Sequence, residues 1–407
     1  MKPMINIQKL FSIIIYITTT FDITTTFYIT TTFERTSSMF LLLKRWYHPQ
    51  PILKNDARRD PYIDNLRFLL IILVVIGHFL SQLTRIKELK YLYYIIHIFH
   101  MPCFVFISGY VSKHVHKNGT FNTRKIMALF WIFLLFKIGN YICTGMKGKL
   151  NLFNVKDAPW YLLALVFWTM AIPFLEKCNK KFVLITTILL ALICGYDSSI
   201  GSFMVLSRTI VFLPFFILGF YTTKEHLDKL LNLRLRIPAI LLPFSSFFIL
   251  TVIYPYVKPF VKIVFAGSPY VSIFKKYWHY GAFIRLFWYI LAFVFSISFL
   301  LLVPRVKLFF TVLGERTLPV YILHILLRNR LMAHGFFAWL LGMPKLIILL
   351  ILPFCVLLAI LLANPYLNRM TQFIMNHPFF LGFSLKRTKT IGVSPKKNYN
   401  MTVANKL

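Results

Sequence analysis

The sequence predicts an all-α fold: a polytopic membrane helix bundle of about ten transmembrane helices. Three observations carry that expectation. The chain of 407 residues is 58% hydrophobic with a mean hydropathy of +0.69, and its apolar residues come in blocks near 20 residues, the length that crosses a bilayer core. Lipid requires each backbone N–H and C=O to be paired within the protein, which selects helices. The 46 Lys and Arg, against 12 Asp and Glu, fall mostly between the apolar blocks, where they orient helices and meet anionic headgroups. A net charge of +34 would suggest nucleic acid in a soluble protein. No separate basic domain exists to carry it, so membrane lipids are the expected partner and nucleic acid is not.

Residues 1–38 stand apart. Three Thr-rich hexads, ITTTFD, ITTTFY and ITTTFE, follow one another over 17–34. They predict a low-complexity leader ahead of a start at Met39, with an extra anchor or signal segment as the competing reading. Residues 39–62 form a basic flank. The membrane domain covers 63–363, with spans at 63–83, 91–112, 126–145, 159–175, 182–196, 203–221, 237–256, 282–303, 309–327 and 345–363. A basic tail occupies 364–407. The Lys/Arg-dense loops are 113–125, 176–181, 222–236 and 304–308. With the flank and tail they predict that both termini are cytoplasmic. Cys103, Cys143, Cys178, Cys194 and Cys355 show no zinc or disulfide spacing and are expected to pack as small apolar residues.

Candidate chemistry starts in the first span, NLRFLLIILVVIGHF. Arg67 and His78 are eleven residues apart, which puts them on one helix face, separated by about 16 Å along the axis. Singly, each has an ordinary explanation. Arg67 can snorkel or pair with Asp64 three residues earlier, and His78 can bond a neighbouring helix. Together they point inward, because an arginine in lipid costs roughly 2.5–3.5 kcal/mol on insertion scales. The second span contributes HIFHMPCFVFISGY. There His100 is at a depth that could meet His78, Pro102 frees a backbone carbonyl, and Ser108-Gly109 permits close helix approach. His97 and His100 lack a third and fourth ligand of suitable type, so no metal is expected. Arg208, Glu315, Arg316, Tyr321 and His324 are supporting candidates. On a straight helix Glu315 and His324 would lie on opposite faces.

Those residues carry a resemblance. YIDNLRFLLIILVVIGHF followed by FHMPCFVFISGY is similar to the membrane acyltransferase-3 family, nearest its fucose 4-O-acetylase-like branch. WYLLAL at Trp160, LSRTIVFLPFFILGFY at Leu206 and LGERTLPVYILH at Leu313 extend the likeness over about residues 60–330. The tandem-arginine loop motif found in parts of the family is not evident. The resemblance implies an integral membrane O-acyltransferase, of a bacterial plasma membrane, that uses acetyl-CoA as donor substrate, with no bound cofactor, to modify a carbohydrate acceptor.

The residue chemistry agrees with that implication. Carboxylates are too scarce in the spans for paired-carboxylate sugar hydrolysis, and histidine is the natural base. On this reading Arg67, with Asp64, holds the donor phosphate, while His78, assisted by His100, acts on the thioester and the acceptor hydroxyl. The competing readings are a transporter or flippase for a lipid-linked saccharide, which needs no acyl donor, and a non-catalytic scaffold, which would tolerate loss of Arg67 and His78.

Overall fold

The structure is a computed structural model. It describes residues 60–377 apart from 114–122, 147–149, 153–157 and the single positions 202, 234 and 259. The leader, nearly all of the flank, the loop histidines at 114 and 116 and the tail from 378 lie outside the described residues.

Fifteen α-helices are described, with short 3-10 turns and no strand among the described residues. In chain order they are α1 (Pro61–Leu80), α2 (Lys87–Ser112), α3 (Thr123–Cys143), α4 (Trp160–Leu175), α5 (Lys180–Ile193), α6 (Leu206–Tyr221), α7 (Lys224–Leu231) and α8 (Arg236–Val257). There follow α9 (Tyr270–Phe274), α10 (Gly281–Leu302), α11 (Thr317–Ala333), α12 (Phe336–Leu341), α13 (Lys345–Leu349), α14 (Ile351–Leu362) and α15 (Pro365–Asn376). The helical membrane class expected from the sequence is what forms. Among the described residues, six helical stretches are long and apolar enough to cross a membrane, and a seventh follows if α6 and α7, bent by 97° at their junction, count as one. The expected spans 159–175, 182–196 and 309–327 correspond to helices of 16, 14 and 17 residues. Each is shorter than the roughly 20 residues that cross a bilayer upright.

Local sequence sets the helix ends. Asp60 accepts a hydrogen bond from the Tyr62 backbone N–H and Pro61 fills the first turn, so α1 starts there. Asn179 caps α5, and Asn364 with Pro365 starts α15, in the same manner.

The interior is built around α1 and α2. In each, 67% of the membrane-length window is buried, against 6% for α8, which lies at the bundle's lipid-facing surface. Helix α2 packs most extensively on α6, and two glycines explain how. A Cβ added at Gly109 would come within 2.0 Å of the Phe216 carbonyl, and one at Gly219 within 1.9 Å of the Phe106 carbonyl. The two backbones therefore touch, as small residues allow in membranes. Helix α1 is enclosed by α2, α11, α14 and the 3-10 turn at Thr311–Arg316.

Candidate functional site

Helix α1 defines two ends of the bundle, one at Arg67 and one at His78. The Arg67 end is held by Asn65, which is fully buried. Its Nδ2 donates to the carbonyls of Pro304 and Val306, each at 2.9 Å, and its Oδ1 accepts from Thr311 Oγ1 at 2.6 Å. Thr311 Oγ1 in turn accepts from the Leu308 backbone N–H at 2.8 Å. A Cβ on Gly314 would come within 2.0 Å of the Asp64 carbonyl, so the segment after α10 is pressed against α1. Asn65 uses both donors and its acceptor, which makes it a structural pin.

One residue on, Asp64 and Arg67 pair at 3.8 Å, with side chains 9% and 34% exposed. The pairing expected from their spacing is present, and Arg67 stays open to the face of the bundle. Lys125, near the start of α3, and Tyr161 on α4 lie within electrostatic reach of Arg67. Arg316 and the exposed Glu315 sit at this end in the 3-10 turn that leads into α11.

Between the two ends lies a layer of hydroxyls. Ser108 Oγ donates to the Phe104 carbonyl at 2.7 Å and lies 2.6 Å from Tyr161 Oη. The Tyr161 and Tyr321 rings are 5.6 Å apart, and Tyr321 donates to the Ala158 carbonyl. The Tyr321 ring is 6.3 Å from that of His324. Arg208, in the first turn of α6, reaches this layer from the side. Its Nε donates to the Phe265 carbonyl at 3.2 Å, its guanidinium stands 5.4 Å from the Trp160 ring, and Tyr321 feels its charge. Ser207 beside it donates to the Ala266 carbonyl at 2.7 Å. The adjoining Val205 has a left-handed backbone (φ 55°), a costly state for a β-branched residue.

At the other end four histidines gather. The rings of His78 and His324 are 5.4 Å apart, and those of His97 and His100 are 4.6 Å apart. His97 lies against the helix beside His78, because Gly77 leaves room for it: a Cβ there would be 2.9 Å from His97 Cε1. His78 and His100, expected from their depths to meet, belong to the same cluster, and the ring contacts are His78–His324 and His97–His100. His324 is the ring partner of His78, and His97, one turn before His100 on α2, lies against Gly77. His97, His100 and Arg328, one turn beyond His324, remain within electrostatic reach of His78.

Hydrogen bonding fixes how these rings present themselves. Nδ1 of His97, His100 and His324 is 2.8, 2.8 and 2.6 Å from the carbonyls of Tyr93, Ile96 and Val320. A carbonyl only accepts, so each Nδ1 carries the hydrogen and each neutral ring keeps a bare lone pair on Nε2. His324 Nε2 is buried and has no hydrogen-bond partner among the described residues. Such an atom is either a cost or a site that a ligand completes. Among the described residues no group of three or more His, Cys, Asp or Glu side chains is arranged to hold a metal.

Glu315 and His324 are not one unit. The first is exposed in the turn, the second fully buried on α11. Several polar residues carry more of the interior than their sequence context announced: Asn65, Arg328, Lys137 and the Asn140–Asn329 pair. Fully buried Arg285 donates from Nη1 to the Ala191 carbonyl at 2.7 Å and stacks its guanidinium 4.4 Å from the Tyr270 ring. The one available signal was a polar residue inside an apolar run, as in FLLFKIGN around Lys137.

A family model described as an acyltransferase domain, acyltransferase-3, matches residues 60–364, well over half of the chain and the whole of the bundle built around α1. No curated protein and no solved structure matches the chain. With its apolar bundle and the family match over that bundle, the chain belongs to the acyltransferase-3 family of integral membrane acyltransferases.

Proposed function

We propose that the protein is an O-acetyltransferase that takes acetyl-CoA at the Arg67 end and delivers the acetyl group to a carbohydrate hydroxyl at the His78 end. The observation that carries this reading is the ring pair of His78, on the face of α1 that carries Arg67, with His324 on α11, whose Nε2 is bare. Arg67 and Lys125 supply positive charge for the donor's phosphates, Arg67 being steadied by Asp64. The roughly 16 Å between Arg67 and His78 leaves a path for the donor's flexible arm past Ser108, Tyr161 and Tyr321.

At the far end an imidazole Nε2 removes the acceptor's hydroxyl proton. The freed oxygen attacks the thioester carbonyl, the C–S bond breaks, and the departing thiolate of CoA recovers the proton from the imidazolium. We take His78 as the base because it is less buried than His324, whose bare Nε2 accepts a hydrogen bond from the acceptor sugar. His97 and His100 shape the pocket behind them. Arg208, packed on Trp160, flanks the acceptor side. The excess of Lys and Arg in the loops at the Arg67 end supports a cytoplasmic donor face with both termini inside. The short motifs support the fucose 4-O-acetylase-like branch and a bacterial plasma membrane.

The test uses purified protein in nanodiscs with labelled acetyl-CoA and a panel of glycan acceptors. Label transfer that requires acceptor and is lost in His78→Ala is expected. Folded protein that neither binds nor turns over acetyl-CoA would shift the reading to transport of a lipid-linked saccharide. Full activity without His78 would remove it from the chemistry.

A further inference from the structure

A cavity of about 450 Å³ opens at the Arg67 end of the bundle, away from the hydroxyl and histidine layers. Leu231, Asn232, Leu233, Arg236, Ile237 and Arg305 line it. We infer that it binds the phosphodiester headgroup of an anionic glycerophospholipid, with the acyl chains running down α8.

The argument begins with Arg305. Its two neighbours, Pro304 and Val306, are the residues whose carbonyls the buried Asn65 holds, so the arginine stands on a stretch of backbone pinned to α1. Its Nη1 donates to Asn232 Oδ1 at 2.9 Å, which ties the guanidinium to a second lining residue. Arg236, the first residue of α8, also lines the cavity. Two arginines lining one space, with no carboxylate among the described lining residues, make an anion site, and their planar forks suit phosphate oxygens.

The apolar half of the site identifies the anion as a lipid. Ile237 lines the cavity, and Leu241, Phe244 and Phe248 continue the same stripe along α8, at spacings of four, three and four residues. They are 72%, 58%, 64% and 68% exposed, so the stripe faces lipid and is continuous with the headgroup cavity. A soluble nucleotide would need a wall for its base, and the lining offers only aliphatic side chains there. Basic pockets between helices at the cytoplasmic side of a membrane suit anionic headgroups.

The experiment reconstitutes the full chain in phosphatidylcholine nanodiscs containing a small fraction of photoactivatable phosphatidylglycerol, and maps the crosslinks by mass spectrometry. The proposal expects label on peptides containing residues 231–241 and 305. Capture should fall about fivefold in Arg236→Gln or Arg305→Gln and about thirtyfold in the double variant. Lys307→Gln, outside the lining, should leave capture unchanged. Arg305→Lys should restore part of it. Gel filtration reports whether each variant stays folded. Label spread evenly over the bundle, or undiminished in a folded double variant, would overturn the proposal. So would displacement of the label by adenosine 3′,5′-bisphosphate, which would make the cavity a nucleotide site. Labelling needs neither donor turnover nor acceptor, so failure here leaves the transferase reading untouched, and failure of that reading leaves this one standing.

Discussion

The two ends of α1 are built on opposite terms. At the Arg67 end, buried Asn65 has every hydrogen-bonding group used, and the charged pair beside it sits at a partly open rim. At the His78 end, aromatic rings meet aromatic rings, and His324 Nε2 is buried without a partner among the described residues. A saturated network fixes a helix in place but offers nothing to a substrate. An unsatisfied buried acceptor costs stability and is retained where a ligand completes it. The contrast therefore separates what holds α1 from what acts at its far end, within one helix.

The largest expected effect breaks the reactive end. His78→Ala should lower the rate of acetyl transfer about 10²–10⁴-fold, the usual contribution of a positioned base, while leaving thermal stability close to that of the native protein. His324→Ala should lower the rate less, about 10²-fold on the same scale, because its Nε2 holds the acceptor sugar rather than taking the reacting proton. If instead His324→Ala were the more damaging, the two roles would be exchanged.

The next effect breaks the holding end. Asn65→Ala strips partners from two carbonyls and a hydroxyl and should cost about 3 kcal/mol of stability, read from detergent-induced unfolding. Its effect on catalysis should follow from displacement of Arg67, as a raised KM. A variant as stable as the native protein would show that other contacts hold residues 304–316 against α1.

Smaller still, Arg67→Ala should raise KM for acetyl-CoA about tenfold, the loss of one charge-assisted contact, with kcat little changed. The opposite split, kcat falling at constant KM, would move Arg67 into the chemical step. The smallest effect is at Asp64. Asp64→Asn removes a pair that is partly open to solvent and should change stability by less than about 1 kcal/mol.

Legibility in the sequence follows the same division. The run from Pro61 to Leu80 is apolar enough to be read as a helix, and 100° per residue suffices to align Arg67 with His78. The Asp64–Arg67 pair was equally local. What escaped was long-range. The Asn65 bonds reach residues 239 and 241 positions away, and His78 meets His324 across a comparable stretch of chain. No periodicity encodes such pairings. Hydropathy also fails to separate buried from lipid-facing helices, since lipid and protein interior are alike apolar. Helices α1 and α8 look similar as sequences and differ tenfold in burial. The expected span 309–327 runs through the 3-10 turn Thr311–Arg316 and stops short of the end of α11, because hydropathy does not register a change of helix type.

The most direct test asks whether the two ends of α1 serve opposite sides of one reaction. The protein is reconstituted in sealed liposomes with a single orientation, labelled acetyl-CoA is supplied on one face only, and acetylated acceptor is measured on the other. The account predicts transfer when the donor is on the face carrying Arg67 and the acceptor on the face nearest His78, with none in the reverse arrangement and none in His78→Ala. Equal transfer from either face, or transfer that persists without His78, would contradict it.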